Sequence, residues 1–254
     1  MLQSCLKTSV FGRAFESLGT VDSTNKYIKD RAVQLPDGFV AVAKTQTSGR
    51  GRLGRTWQSH EGELFMSVLI KGLPLEKQGL VPLVGGLAAA KALGGLAGGS
   101  FLVKWPNDIV CGGKKIAGLL CETTQGGGCV LGIGVNLGAE QQSFEKAGLL
   151  HAGSLKTATG KTPGRLETAA AFLNELEPLV AVLCREGFAP LREEYSARCV
   201  SLQKQLRIVA GESVTEAFGK AVADDGSLVV VLGDGSEKKV FSGEVSVRGL
   251  DSYV

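Results

Sequence analysis

The sequence has very little histidine and no cysteine pairs of the kind that bind metals. Its 254 residues include two histidines, His60 and His151, and none of its six cysteines belongs to a C-x-x-C motif. Structural zinc sites use closely spaced cysteine and histidine ligands, and serine hydrolases use a histidine base. The composition therefore argues against a zinc site and a histidine-dependent triad, although His60 lies close to a charged loop described below.

Long apolar segments are also missing. The longest candidate, residues 80–96, is interrupted by Pro82, Lys91 and several glycines, and no long apolar run follows a basic start at the N-terminus. A membrane-spanning helix needs about 18 or more apolar residues in a row, and a secretory signal needs a basic start followed by an apolar segment. We therefore expect a cytoplasmic protein with reduced thiols and no membrane association.

A strong charge of one sign is absent as well. The 28 basic and 25 acidic residues leave a net charge of +3, which is too small to attract nucleic acid by bulk electrostatics. The hydrophobic content of 44% is typical of a globular protein that buries a core. A chain of this length can form one large domain or two smaller ones.

Glycine, in contrast, is abundant, with 36 residues in clusters. The stretch SGRGRLGRTW, residues 48–57, combines glycine with arginine and ends in Trp57. Glycine lets backbone N–H groups approach an anion, and arginine forms bidentate bonds to phosphate. The stretch therefore predicts a loop that closes over a polyphosphate, with Trp57 stacking on or shielding a purine. It lacks P-loop spacing, and a solvated surface loop or a single RNA-binding segment are alternatives.

Three further motifs combine polar residues or glycines with predicted strands. KWPND (104–108) follows an apolar strand, KKIAG (114–118) opens one, and GIGVNL (132–137) alternates glycine with apolar residues. Loops at strand ends often carry function, and glycine in a strand permits close approach of a ligand. Each motif also has a purely structural explanation: an Asx turn, a charged edge strand and a tightly packed core strand.

Hydrophobic periodicity predicts an α+β fold with a mixed or antiparallel sheet flanked by helices. The predicted helices are 23–34, 74–96, 165–185 and 188–198, and the predicted strands are 39–44, 64–70, 101–105, 116–122 and 129–136. Residues 140–164 are predicted to be irregular. Short strands at 206–209, 216–218, 228–232 and 244–247, separated by glycine-containing turns, predict a small β-barrel. We therefore expect two domains, residues 1–200 and 201–254.

The order of the motifs is more specific than any one of them. DSTN (22–25), Gln46 with SGRGRLGRTW, KWPNDI, KKIAGLL with CE, and GIGVNL follow one another in a way that resembles the biotin protein ligases, also called biotin–[acetyl-CoA-carboxylase] ligases or holocarboxylase synthetases. The similarity is close over residues 15–140. It implies a class II synthetase-like catalytic domain and a small C-terminal SH3-like β-barrel. Since the motifs begin by residue 22, we expect the monofunctional type, without an N-terminal DNA-binding domain.

The resemblance also implies a reaction and its participants. Biotin and ATP would form biotinoyl-5′-AMP with the help of Mg²⁺, and a lysine of a biotin carboxyl carrier protein would then displace AMP. DNA and membranes would take no part, and the chain would be a monomer or a homodimer. A lipoate or octanoate ligase or transferase is the nearest alternative, and the GRGRLGR loop argues against it. A non-enzymatic nucleic-acid-binding module is the other, and the modest net charge argues against that.

The resemblance assigns roles to residues of this sequence. The expected biotin-binding residues are Ser23, Thr24, Asn25, Gln46, Arg50, Gly51, Arg52, Lys115, Gly118 and Gly134. The expected nucleotide-binding residues are Arg52, Trp57, Asn107, Lys115 and Asn136. Catalytic roles fall to Lys115, Arg52 and Asp108, and no protein side chain is assigned as a metal ligand. Lys104 is a further candidate for contact with phosphate or with the acceptor, and Arg55 matches the motif without an assigned role.

Overall fold

The computed structural model describes residues 2–58, 62–243, 245–250 and 253. His60, and Glu244 at the start of the last predicted strand, lie outside the described residues. The α-helices are α1 (Leu2–Cys5), α2 (Thr24–Lys29), α3 (Leu75–Gln78), α4 (Val81–Ala97), α5 (Gln141–Lys146), α6 (Leu155–Thr159), α7 (Arg165–Glu186) and α8 (Arg192–Arg198), with 3₁₀ turns at Arg52–Gly54 and Ala189–Leu191. The strands are β1 (Phe15–Val21), β2 (Val40–Gln46), β3 (Leu64–Ile70), β4 (Leu102–Lys104), β5 (Asp108–Cys111), β6 (Lys114–Thr123), β7 (Cys129–Val135), β8 (Gln205–Ala210), β9 (Ser213–Val222), β10 (Leu228–Leu232), β11 (Glu237–Val240) and β12 (Ser246–Gly249).

Seven strands form a mixed sheet in the order β1-β2-β3-β7-β6-β5-β4. Only β1 and β2 pair in parallel among these described strands, and the other neighbours are antiparallel. Every residue of the central strand β3 is buried, which its apolar sequence LFMSVLI requires because helices cover both faces of the sheet. The predicted α+β class with a mixed sheet flanked by helices is confirmed.

Helices α4 and α7 pack on one face of this sheet, where Val42 and Met66 join the large core. Helix α2 packs on the other face, where Ile28 meets Ala41 in a smaller cluster. Helix α4 lies very close to the sheet because it has glycine at its contact points: a methyl group on Gly85 would lie 2.7 Å from Leu119 Cδ2.

The second sheet has five antiparallel strands in the order β11-β10-β9-β8-β12 and consists of residues after 204. It is consistent with the small C-terminal β-domain expected from the sequence. The two sheets share one continuous hydrophobic core. At the junction, the buried Trp105 indole donates a hydrogen bond to Gly226 O at 3.1 Å. The domain boundary at residue 200 stays a prediction.

Several elements differ from the periodicity analysis. Strands β1, β5 and β11 were not predicted; β1 is the clearest case, because its sequence FESLGTV lies at the sheet edge with no buried residue and lacks apolar alternation. The predicted helix 74–96 is divided at Gly79 and Leu80 into α3 and α4, and helix 23–34 ends as α2 at Lys29 and continues as turns. The segment 140–164, predicted to be irregular, contains α5 and α6. Within the described part of the chain, no helix is both long and apolar enough to span a membrane.

Candidate functional site

A cavity of about 520 Å³ opens where the first sheet, the glycine-rich loop and strand β12 meet. It collects residues that are far apart in the sequence. All but one of the predicted site residues line it, namely Ser23, Thr24, Asn25, Gln46, Arg50, Gly51, Arg52, Trp57, Asn107, Asp108, Lys115, Gly118 and Gly134.

The exception is Asn136. Its buried side-chain amide donates a hydrogen bond to Gly153 O at 2.8 Å, and its backbone N–H donates to Ile116 O at 2.9 Å. Asn136 thus fastens the end of β7 to the segment before α6, and it is not among the residues that line the cavity. Its expected contact with the nucleotide stays a prediction.

One end of the cavity is built around the start of helix α2. The first N–H groups of a helix have no partner within the helix, and here the N–H of Thr24 donates to Gln46 Oε1 at 2.8 Å. The Thr24 hydroxyl lies 3.2 Å from the same oxygen. Ser23, at the N-cap position, makes no side-chain capping bond, and Ser23, Thr24 and Asn25 are all buried. This end therefore presents hydroxyl and amide groups of fixed orientation without a formal charge.

Three residues to which the sequence analysis assigned no site role surround Asn25: Ser67, which it did not single out, and Glu122 and Gly132, which belong to motifs that it quoted. Its Oδ1 accepts a hydrogen bond from the Ser67 hydroxyl at 2.6 Å, and its Nδ2 donates to Glu122 Oε2 at 3.0 Å. Gly132 makes room for it, because a methyl group there would lie 2.1 Å from Asn25 Oδ1. Ser67 is the one polar residue of the fully buried strand β3, and that isolated polar position was the available sequence signal.

The glycine-rich loop folds toward the second sheet. The Arg52 guanidinium donates to Asn107 Oδ1 at 2.9 Å, to Val245 O at 3.0 Å and to Ser242 O. Arg55 reaches Ser246 Oγ at 3.2 Å. Burial lowers the pKa of Arg52, although arginine stays charged at any physiological pH. Both arginines therefore connect the loop to the C-terminal sheet, which places positive charge at the cavity wall.

Arg50 behaves differently from Arg52. Its side chain is about half exposed and its Nη1 lies 3.8 Å from Glu122 Oε1. Lys29 contacts the same carboxylate at 3.2 Å. Arg50 thus lines the cavity and lies near Glu122, the same carboxylate that accepts a hydrogen bond from Asn25.

Trp57 lies on a floor of two glycines. A methyl group on Gly134 would lie 2.5 Å from Trp57 Cε2, and one on Gly118 would lie 2.8 Å from Trp57 Cζ3. The two strands β6 and β7 therefore have to carry glycine here for a flat ring to lie against them. The buried indole Nε1 has no hydrogen-bond partner among the described residues. A buried donor without a partner is costly, so the indole N–H is an unsatisfied group in the cavity wall.

A partly buried ion pair lies at the other end of the cavity. Lys115 Nζ is 2.7 Å from Asp108 Oδ1 and 5.3 Å from the centroid of the Trp57 ring. Burial favours the protonated form of Asp108, but the charge and hydrogen bond of Lys115, the hydrogen bond of Tyr253 and the charge of Lys104 together outweigh it, so the pKa of Asp108 is lowered. The backbone of Lys115 is fixed by the neighbouring loop, since its N–H donates to His151 O at 2.7 Å.

Lys104 and Tyr253 complete this end. Lys104 is 5% exposed, and burial lowers its pKa to about 8. Its Nζ lies 3.4 Å from the centroid of the Tyr253 ring, which stacks on His151 at a centroid distance of 5.6 Å. The Tyr253 hydroxyl donates to Asp108 Oδ2. Neither His151 nor Tyr253 was predicted, because nothing in the local sequence around them indicates a site.

The chain is similar in sequence and fold to known proteins. A family model described as the biotin/lipoate A/B protein ligase family matches residues 18–139. The bifunctional ligase/repressor BirA of Bacillus subtilis is 30% identical over 252 residues, covering 95% of this chain and 76% of that protein. A biotin–[acetyl-CoA-carboxylase] ligase of Mycobacterium tuberculosis is 29% identical over 242 residues, covering 92% of this chain and 88% of that protein. The biotin protein ligase from Aquifex aeolicus in complex with biotin and ATP has a TM-score of 0.82 and 28% identity, covering 93% of this chain and 99% of that one.

Proposed function

Since this chain belongs to the biotin/lipoate A/B protein ligase family, we propose that it attaches biotin to a lysine of a biotin carboxyl carrier protein at the expense of ATP. The chain is a ligase of this family. The observation that carries the assignment of substrates is the composition of one cavity. The cavity has an uncharged, hydrogen-bonding end at α2 and a cationic end at Arg52 and Lys115. The flat Trp57 ring, which lies against Gly118 and Gly134, also lines it.

The uncharged end suits the head group of biotin. The ureido ring presents N–H donors and a carbonyl acceptor. Hydroxyl and amide groups can both accept from the N–H groups and donate to the carbonyl, and this end of the cavity supplies them from Ser23, Thr24, Asn25 and Gln46. Asn25 is oriented in advance by its bonds to Ser67 and Glu122, and Gln46 by the bond that it accepts from the Thr24 N–H. A small set of pre-placed polar groups is the usual basis of specificity in a ligand pocket.

The cationic end suits the first half-reaction. A biotin carboxylate oxygen attacks the α-phosphorus of ATP, the bond from that phosphorus to the bridging oxygen breaks, and pyrophosphate leaves. The main obstacles are the repulsion between two anions and the alignment of attacking and leaving oxygens. Lys115 and Arg52 supply fixed positive charge, and Asp108 holds the Lys115 ammonium in one place at 2.7 Å. Charges fixed before the reaction need no reorganisation during it.

The second half-reaction transfers the acyl group. The lysine nitrogen of the carrier attacks the carbonyl carbon of biotinoyl-5′-AMP, the carbon–oxygen bond to the phosphate breaks, and AMP leaves. The ammonium of the carrier lysine first gives one proton to solvent, the neutral amine attacks, and a second proton is lost to solvent as the amide forms. Because the pKa of Asp108 is lowered, its carboxylate remains negative and can hold the incoming amine by a charge-assisted hydrogen bond.

Magnesium would enter with the nucleotide. In the described part of the chain, no group of three or more histidine, cysteine or acidic side chains forms a metal cage. Nucleotide-bound Mg²⁺ takes most of its ligands from phosphates and water and one or two from carboxylates, so the donor set here fits Mg-ATP. Asp108 is the residue that would hold the ion, which would neutralise phosphate charge during the first half-reaction.

The proposal is tested by supplying biotin and Mg-ATP and searching for biotinoyl-5′-AMP by mass spectrometry, then adding a biotin carboxyl carrier domain. We expect the adenylate first and a carrier heavier by one biotinyl group second. Activity with lipoate and none with biotin would overturn the substrate assignment. The expectations that the chain is cytoplasmic, binds no DNA, and is a monomer or homodimer stay predictions.

A further inference from the structure

Tyr253 contacts three polar groups of the cavity that come from three separate elements. Its ring lies between the Lys104 ammonium of β4 and the His151 ring of the segment before α6, and its hydroxyl donates to Asp108 of β5. A residue beyond the last strand of the second sheet thus covers the cationic end of the cavity. The bonds from Arg52 and Arg55 to Val245 O and Ser246 Oγ, in contrast, are made to β12 or the turn before it.

The chemistry of the contact with Asp108 indicates what replaces Tyr253. One oxygen of this carboxylate, Oδ1, is paired with Lys115, and the other, Oδ2, accepts the tyrosine hydroxyl. A phosphate group without a bound metal ion would be repelled from Oδ2, whereas a hydrogen-bond donor would be attracted. A lysine ammonium is such a donor, and its bond to a carboxylate is stronger than that of a neutral hydroxyl.

We propose that Tyr253 is a specificity-determining gate, which occupies the path of the carrier lysine to the acyl-adenylate and is displaced by that lysine but not by water or small nucleophiles. The hydroxyl is the latch, because it takes the bond to Asp108 that the incoming amine needs. The ring is the cover, because it fills the space between Lys104 and His151. This inference rests on the proposed function, since a gate of this kind has a purpose only if an acyl-adenylate waits in the cavity.

Two variants separate the latch from the cover. Tyr253→Phe removes the hydroxyl and keeps a ring that can stack on His151, and Tyr253→Ala removes both. Tyr27→Phe is the matched control, because it deletes a hydroxyl that donates to Glu16 Oε2 of strand β1 at 2.7 Å, away from the cavity. Each full-length protein is first loaded with biotinoyl-5′-AMP from biotin, Mg-ATP and pyrophosphatase. It is then challenged either with hydroxylamine or with a biotin carboxyl carrier domain.

We expect hydroxamate to form about tenfold faster in Tyr253→Ala than in the wild type, and about threefold faster in Tyr253→Phe, because the net contribution of a typical intramolecular hydrogen bond corresponds to roughly this range in an equilibrium. The KM for the carrier should fall in both variants, since the carrier no longer has to displace the latch. Tyr27→Phe should match the wild type in both assays.

Two results would overturn the gate. Hydroxamate formation and carrier KM equal to those of the wild type in both variants would mean that Tyr253 only packs against the cavity. A KM for ATP raised about tenfold, with an unaltered KM for the carrier, would make Tyr253 part of the nucleotide site. If the wild type forms no biotinoyl-5′-AMP at all, the proposed function itself fails; if it forms the adenylate and the variants behave like it, only the gate fails.

Discussion

The Lys115–Asp108 pair is the single contact on which the proposed chemistry depends most. Removing two opposite charges from water costs about as much free energy as their attraction returns, so such a pair adds little stability. It indicates a functional site only where the charges can also act on a bound molecule. Here both side chains line the cavity, with Nζ and Oδ1 2.7 Å apart. Lys115 is therefore placed to meet charge that develops on a substrate.

Lys115→Ala should lower the rate of adenylate formation by about 10²–10³-fold, the loss found when one fixed donor to a developing charge is removed. The affinity for biotin should fall much less, because the polar groups at α2 are unaltered. Pyrophosphate release measures the rate, and calorimetric titration measures the affinity. The control is Lys114→Ala, whose ammonium donates to Leu150 O and does not line the cavity. An unaltered rate in Lys115→Ala would remove this residue from the site.

Glu63 provides a test of pH dependence at the same scale. It is 1% exposed, and burial raises its pKa to about 7 even though the N–H groups of Leu137 and Ala139 donate to it. A carboxyl group with a raised pKa in the folded state contributes stability below the unfolded pKa of 4.5, and that contribution is lost as the pH rises through about 7.

The free energy of unfolding should therefore decrease between pH 5 and pH 8 by roughly 2 kcal/mol on account of this one group. Glu63→Gln cannot ionise, so urea unfolding of this variant should lack that part of the decrease. Glu186→Gln, at an exposed position near the end of α7, is the control and should retain the wild-type dependence. A pH profile in Glu63→Gln identical to that of the wild type would contradict the assignment.

At the scale of elements, the position of the glycine-rich loop depends on the hydrogen bonds of one arginine more than on the net charge of the loop. Arg52 joins the loop to Asn107 of the β4–β5 turn and to the backbone carbonyls of Ser242 and Val245 near β12. The planar guanidinium can serve all three acceptors at once. Loss of this residue should free the loop without disturbing the sheet.

Arg52→Gly should therefore let biotinoyl-5′-AMP escape and label lysines of unrelated proteins, because a closed loop keeps a reactive intermediate from solvent. Labelling of serum albumin in the presence of biotin and Mg-ATP, detected with streptavidin, measures the escape. Arg52→Lys keeps the charge but not the planar fork, and we expect labelling between those of the wild type and Arg52→Gly. Equal labelling by all three proteins would argue against loop closure.

The elements also show what the sequence could and could not predict. The sequence motifs that could be recognised lie on loops and strand ends, where a few neighbouring residues carry the functional groups. These motifs are SGRGRLGRTW, KWPND and KKIAG, and the family resemblance predicted that they contribute to one site. Ser67 was hidden because a strand buried on both faces is apolar by requirement, and the one polar residue in it was not recognised as a site residue. Tyr253 and His151 could not be found, because their meeting depends on how the second sheet docks.

At the scale of the whole molecule, the cavity exists because two sheets are held together. Trp105 is the centre of that junction: it is 1% exposed and its indole N–H donates to Gly226 O at 3.1 Å. Gly226 approaches helix α4 so closely that a methyl group on it would lie 2.3 Å from Leu80 Cδ2. Since one hydrophobic core runs through both sheets, we expect thermal unfolding in a single transition in which both sheets take part.

Trp105→Phe tests this coupling. The variant removes the hydrogen bond, leaves Gly226 O without its donor and creates a small void, and each effect costs about 1 kcal/mol or more. We expect a lower melting temperature in calorimetry, still as one transition, together with faster loss of biotinoyl-5′-AMP, because Arg52 and Arg55 close the loop onto the second sheet. Leu75→Ala, at an apolar side chain that is 72% exposed, is the control and should change neither quantity. Two separate transitions in the wild type, with adenylate retention in Trp105→Phe unaffected, would mean that the sheets are independent domains and that the cavity does not depend on their union.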